Sequence, residues 1–204
     1  QRQMCIRDRT SPVKMFTRAF DINAAANVVL AQAFLPAMIS NNHGHFMTVA
    51  SSASYFSLPN LCAYSMSKTA ALAFLESLRA ELRAVYKACR VRTSVVTPTK
   101  VRTVLAEGLN EGDDDFLMPV LEPIQVARAM ADTLNSGLSR NISLPLGSAL
   151  LPYLRALPEW YRGALRAMGN TDALVTPDSI SRGQQALRGH QSNLDHMKKL
   201  GVHS

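Results

Sequence analysis

Cysteine is scarce in this chain, and glycine is missing from its start. Three cysteines in 204 residues, at positions 5, 62 and 89, are too few and too scattered for a disulfide framework or a zinc ribbon. No metal site is expected, and nothing in the cysteines argues for secretion. No run approaches about 18 uninterrupted apolar residues, so no segment is expected to span a bilayer by itself. The ten glycines and ten prolines show no period, which excludes collagen-like and low-complexity chains. No Gly-x-Ser-x-Gly elbow occurs, so a serine hydrolase is a weak reading. His43 and His45 precede Ser51 by only a few residues and read as flanks of a turn. A basic run interleaved with aromatics is also lacking. The net charge is +7, but Arg2, Arg7, Arg9 and Lys14 against Asp8 place +3 of it in residues 1–14. The rest is spread thinly, so a nucleic-acid partner is not expected.

What is present can build a core. Apolar residues make up 47% and charged residues 18% of the chain, which fits one ordinary domain. Residues 1–14 lack periodicity and read as a leader, disordered or a scar, outside the fold. Phe16 to Ile39 reads as a helix, with Ile22, Ala26, Val29, Ala33 and Ala37 at three- and four-residue spacing. Pro36 is expected to kink or end it. Asn41, Asn42 and Gly44 make a turn. His45 to Ala50 (HFMTVA) reads as a buried strand, and Ser51 to Cys62 as a loop. Ala63 to Ala88 is the strongest helix, with Leu75, Leu78, Leu82 and Val85 as its apolar stripe. Val91 to Thr97 is a second strand. Pro98 to Pro119 is a long loop with an acidic patch at Glu111 and Asp113 to Asp115. Pro123 opens a helix that Gly137 closes, and Asn141 to Leu144 is a third strand. Alternating helices and strands predict an α/β parallel sheet covered by helices.

Residues 148–176 form a separate apolar segment. Within it, 149–168 carries Leu150, Leu151, Tyr153, Trp160 and Tyr161 beside Arg155, Arg162 and Arg166. It reads either as a cover for a greasy substrate mouth or membrane surface, or as a helix packing on the core. Residues 177–204 form a polar tail.

Tyr64 and Lys68 stand four apart near the start of the strongest helix, on one face. A nearby ammonium favours a phenolate, so the pair can exchange a proton with a hydroxyl or carbonyl. Alone, a Tyr-x-x-x-Lys is a weak signal. Ser51 strengthens it. It follows the HFMTVA strand and so falls at the carboxyl end of a parallel strand, where open α/β sheets bind ligands.

Ser51 followed by Tyr64-Ser-Met-Ser-Lys68 resembles the active site of the short-chain dehydrogenase/reductase family. Asn23 in FDINAAA is similar to the family's helix asparagine, which holds a relay water. FLPAM at 34–38 continues that match. Pro98 to Thr103 (PTKVRT) resembles the family's Pro-Gly-x-Val-x-Thr, with Thr99 in place of the glycine. The resemblance runs through 15–147, and the C-terminal part looks like the branch acting on retinoids, steroids and other lipophilic alcohols. It implies a Rossmann-like, doubly wound parallel sheet. It also implies NAD or NADP as cofactor, which these residues do not distinguish. The implied catalytic residues are Asn23, Ser51, Tyr64 and Lys68. The implied cofactor contacts are Tyr64, Lys68, Pro98, Val101 and Thr103.

One departure is large. The family opens with strands and a Gly-rich turn that cradles pyrophosphate. This sequence has no glycine before Gly44 and no Thr-Gly-x-x-x-Gly-x-Gly. The expectation is therefore an incomplete sheet lacking the N-terminal strands, in an N-terminally truncated chain. The competing expectation is an inactive fragment or interaction module without cofactor binding. The resemblance further implies a small lipophilic alcohol or carbonyl substrate, peripheral membrane contact through 149–168 and a homodimer. It implies a place in the cytoplasm or on the endoplasmic reticulum or lipid droplets.

Overall fold

The computed structural model describes residues 13–103 and 119–168. The acidic patch at 111–115 and the polar tail lie outside the described residues.

Three parallel strands form one sheet. They are β1 (Gly44–Val49), β2 (Val91–Pro98) and β3 (Asn141–Leu144), in the order β1-β2-β3. Gly44 pairs with Val91 and Val49 with Val96, while Val95 pairs with Asn141. Long helices connect them, as parallel neighbours require. Helix α1 (Val13–Ser40) precedes β1. Helix α2 (Cys62–Ala84) joins β1 to β2, and α3 (Pro123–Ser136) leads into β3.

β2 is central and buried almost throughout. Its polar residues are satisfied by neighbours. Arg79 donates to Thr93 Oγ1 at 2.8 Å, and Thr97 Oγ1 donates to Ile142 O at 3.2 Å. The apolar core joins Leu72, Leu75, Leu78 and Leu82 of α2 to Phe46, Val91 and Val95 of the sheet and to Ala31 and Leu35 of α1. Leu residues at three- and four-residue spacing place one stripe of α2 on the sheet.

Glu122 and Gln125 form a reciprocal capping box at the start of α3, with Pro123 in the first turn. Gly137 then ends the helix at φ 64°, a left-handed conformation that glycine adopts without strain. Gly44 is needed for space as well. Its φ is +153°, and a Cβ there would meet Met38 Cγ at 2.5 Å.

Several boundaries differ from expectation. Helix α1 begins at Val13, inside the stretch set aside as a leader, and contains a π turn at Asp21–Ala25. It does not end at Pro36 but continues to Ser40. Pro36 and Gln32 both face outward, so the carbonyl that proline leaves unpaired is not trapped in the core. By length and composition this helix could cross a membrane, which a search for uninterrupted apolar runs does not anticipate. In the structure its Ala24, Ala31 and Leu35 are buried, while Ile22, Val29 and Phe34 are exposed.

Helix α2 ends at Ala84, so Val85 falls outside the stripe and is 67% exposed. The chain turns there. Tyr86 N–H bonds Glu81 O, and Lys87 takes φ 53°.

Residues 149–168 form two short helices, α4 (Leu151–Leu154) with Pro152 in its first turn and α5 (Glu159–Met168) just after Pro158. Leu151 is buried, whereas Leu150, Tyr153 and Trp160 are exposed.

Candidate active site

The site is built at the carboxyl end of β1. Ala50 N–H still bonds Val96 O at 2.8 Å, which extends the pairing by one residue. Ser51 follows in extended backbone, and its Oγ accepts from Ala53 N–H at 3.2 Å. This caps a short 3-10 turn, Ser52–Ser54. The capping bond fixes Ser51 as the buried serine and leaves its neighbour Ser52 within the turn. Tyr64 and Lys68 come from the first two turns of α2. The Ser51 side chain hydrogen-bonds Tyr64. Lys68 Nζ donates to Val49 O at 2.9 Å and lies 5.9 Å from the centre of the Tyr64 ring.

Asn23 reaches the same place from α1. Its Nδ2 donates to Ser67 Oγ at 3.0 Å, and Ser67 Oγ donates to Tyr64 O at 2.8 Å. The π turn frees the Asn23 carbonyl, which accepts from Asn27 Nδ2 at 2.8 Å. Thr48 Oγ1 on β1 in turn donates to Asn27 Oδ1 at 3.3 Å. Ser67, Asn27 and Thr48 are positions that sequence reasoning missed. Ser67 had a signal, since it lies inside the Tyr64 to Lys68 motif. Asn27 had one only in its spacing, four residues after Asn23.

The electrostatic sign differs from expectation. Burial raises the Tyr64 phenol above its ordinary value, and the Ser51 hydrogen bond partly offsets this. Burial lowers the Lys68 ammonium. Each group is pushed toward its neutral form, because desolvation penalises charge.

Pro98, Val101 and Thr103 lie on the stretch leaving β2. Pro98 is the last residue of the strand, and Val101 bridges Leu121. Thr103 is exposed, with Oγ1 at 3.5 Å from Val101 O. Since β1 and β2 are parallel neighbours, this stretch leaves the same edge of the sheet as Ser51. Thr99 lies between, with its Oγ1 buried and unpartnered in the protein. Such an orphan is costly unless a ligand or water satisfies it. A hydroxyl and backbone groups at this edge suit the carboxamide end of a nicotinamide dinucleotide. The chain carries no Gly-rich cradle for the pyrophosphate.

The structure thus brings Ser51, Tyr64, Lys68 and Asn23 together at the carboxyl end of an α/β parallel sheet. The short chain dehydrogenase family matches residues 4–114, more than half of the chain, and the chain belongs to that family. It is 38% identical to estradiol 17-beta-dehydrogenase 11 of Homo sapiens over 151 residues, which is 73% of this chain and 48% of the relative. It is 37% identical to epidermal retinol dehydrogenase 2 of Mus musculus over 123 residues, covering 60% of this chain and 39% of that one. The chain thus spans about half the length of the curated relatives it matches. Among solved structures, a short chain dehydrogenase from Burkholderia cenocepacia in complex with NADP superposes with a TM-score of 0.61 at 22% identity. That match covers 86% of this chain and 66% of the other, and it shows the shared fold.

Proposed function

We propose that this chain carries the catalytic half of an NAD- or NADP-dependent oxidoreductase that interconverts a lipophilic alcohol and its carbonyl. The observation that carries the reading is the Ser51–Tyr64–Lys68 cluster at the carboxyl end of β1, with Asn23 tied to it through Ser67. The nicotinamide supplies hydride acceptance or donation when bound. Everything else is the work of the chain's own side chains.

Tyr64 Oη takes the hydroxyl proton during oxidation and returns it during reduction. Ser51 Oγ orients the substrate oxygen and stabilises charge developing on it. Lys68 holds the ribose and, when charged, favours the phenolate. Asn23 fixes the packing of α1 against the Tyr64–Lys68 turn and holds the relay water. Pro98, Val101 and Thr103 orient the nicotinamide. A greasy substrate is supported by α5. Arg166 stacks over Phe56 at 5.0 Å, which brings this helix against the loop between Ser51 and Tyr64. The exposed Trp160 within α5 and the exposed Leu150 and Tyr153 just before it in sequence suit a lipophilic ligand or a lipid surface. Self-association and an endoplasmic-reticulum or lipid-droplet location belong to the same proposal.

The test follows reduced nicotinamide in the presence of retinol or a steroid alcohol. Turnover is expected, with loss in Tyr64→Phe while dinucleotide binding persists. Dinucleotide binding without turnover of any alcohol or carbonyl would favour the inactive alternative. The same holds if neither NAD nor NADP binds.

A further inference from the structure

We propose a second ligand site, for a phosphate-bearing anion, at the amino end of the sheet. It lies at the opposite edge from Ser51, about 20 Å away along six strand residues. A cavity of about 250 Å³ opens there, with Leu82 and Val91 among its apolar lining and Arg79, Arg83 and Arg92 as its cations. Ser139 adds a hydroxyl. No carboxylate lines the cavity, and among the described residues none of the three arginines makes an ion pair.

The way the arginines are held matters more than their number. Arg79 Nε donates to Thr93 Oγ1 at 2.8 Å, and its Nη2 donates to Thr93 O at 3.2 Å and Asn141 Oδ1 at 3.0 Å. Arg92 Nε donates to Gly137 O and Nη1 to Cys89 O, each at 3.1 Å. Every acceptor is neutral. Two guanidinium forks are therefore oriented while their charge stays uncompensated. Arg83, one helical turn after Arg79, adds a third charge on the same face. His45, bonded to Ser94 at 2.8 Å, already feels the Arg92 field.

The donors these bonds leave unused, Nη1 of Arg79 and Nη2 of Arg92, together with the Arg83 guanidinium, match phosphate oxygens as charged hydrogen-bond donors. The volume is below that of a drug-sized pocket and suits a phosphate monoester. This chemistry could come from a soluble metabolite or from a lipid headgroup.

The test is thermal denaturation and calorimetric titration of the chain with inorganic phosphate and glycerol phosphate, against chloride at equal ionic strength. Co-flotation with phosphatidylcholine vesicles, with and without phosphatidic acid, runs in parallel. Saturable stabilisation by phosphate is expected, weakened about ten-fold or more in Arg83→Glu. Arg83 is exposed and makes no ion pair among the described residues, and Arg92→Gln serves as a second variant. Soluble phosphate binding names the metabolite source, whereas capture only by phosphatidic acid vesicles, lost in both variants, names the headgroup. Equal shifts with chloride, or affinity unchanged in both variants, would overturn the site. Neither result depends on dehydrogenase turnover, so this proposal and the catalytic one fail separately.

Discussion

The two ends of helix α2 handle polarity in opposite ways. At its start, Tyr64 and Lys68 are desolvated, tied to Ser51 and to a backbone carbonyl, and pushed toward neutrality. At its end, Arg79 is spread across the neutral acceptors Thr93 and Asn141 and lines a cleft with Arg83 and Arg92. Between them, Leu75, Leu78 and Leu82 are buried against the sheet. One helix thus presents the desolvated Tyr64–Lys68 pair at one edge of the sheet and an arginine-lined cleft at the other. The comparison teaches that burial and charge are set locally, by what each strand end offers. β1 offers a carbonyl and a serine, while β2 and β3 offer threonine and asparagine acceptors.

The sharpest way to separate the two ends is Tyr64→Phe. Removing the phenol hydroxyl is expected to lower alcohol oxidation by about 10²- to 10⁴-fold, the range for loss of a positioned acid or base. Phosphate binding at the arginine end should not change. Steady-state kinetics and the phosphate titration on one preparation check both halves. An equal loss at both ends would mean that the variant perturbs the helix as a whole.

The joint between the ends is tested next. Leu75→Ala removes a side chain that is 1% exposed. It is expected to destabilise the fold by about 2–5 kcal/mol, the range for buried leucine truncations. Val85→Ala, just beyond the helix, is expected to cost less than about 0.5 kcal/mol, as exposed substitutions do. Urea denaturation of the pair measures the difference. Similar costs would place Val85 in the stripe that the sequence pattern drew.

That pattern carried most of the fold. All three strands were legible because short apolar runs sat between turn residues, and α3 because Pro123 and Gly137 punctuate it. Helix ends were less legible. Val85 continues the heptad-like spacing, yet the chain needs a positive-φ turn at Lys87 to enter β2, and spacing does not register that demand. Likewise Pro36 reads as a break because a sequence does not show that its missing bond faces outward.

Of the residues the structure gathers, Ser51, Tyr64 and Lys68 were named from one motif and its spacing, and Asn23 from the resemblance of FDINAAA. Asn27 and Thr48 were not, since their role depends on a π turn that only the packed structure reveals. The direction of the Tyr64 shift was also hidden. Proximity to lysine argues for an easier phenolate, but the depth of burial decides the outcome.

The Tyr64 shift supplies the smallest effect and the most specific one. The Ser51 hydrogen bond draws Tyr64 back toward its ordinary value. Ser51→Ala should therefore raise the phenol further. Oxidation needs the phenolate, so its rate climbs as pH rises toward the Tyr64 value, and in the variant that limb should move to higher pH. Reduction needs the protonated phenol, so its fall at alkaline pH should move the same way. One neutral hydrogen bond is worth about 0.5–1.5 kcal/mol, so the limb should move by about one pH unit or less, whatever plateau rate the loss of Ser51 at the substrate oxygen leaves.

Stability responds with its own sign. A phenol raised in the folded state keeps its proton longer than in the unfolded chain. Stability from this group is then complete below the ordinary tyrosine value and lost above it as pH rises. Ser51→Ala should widen that alkaline window. Lys68, lowered by burial, acts in reverse, and its contribution recovers as pH rises toward the ordinary lysine value. Ultraviolet titration of tyrosinate, taken as the difference from Tyr64→Phe to remove the other four tyrosines, beside the pH–rate profile separates the two groups, because lysine does not absorb there. A profile that moves to lower pH in Ser51→Ala would show that Ser51 holds the phenol protonated, and would reverse the role given to it here.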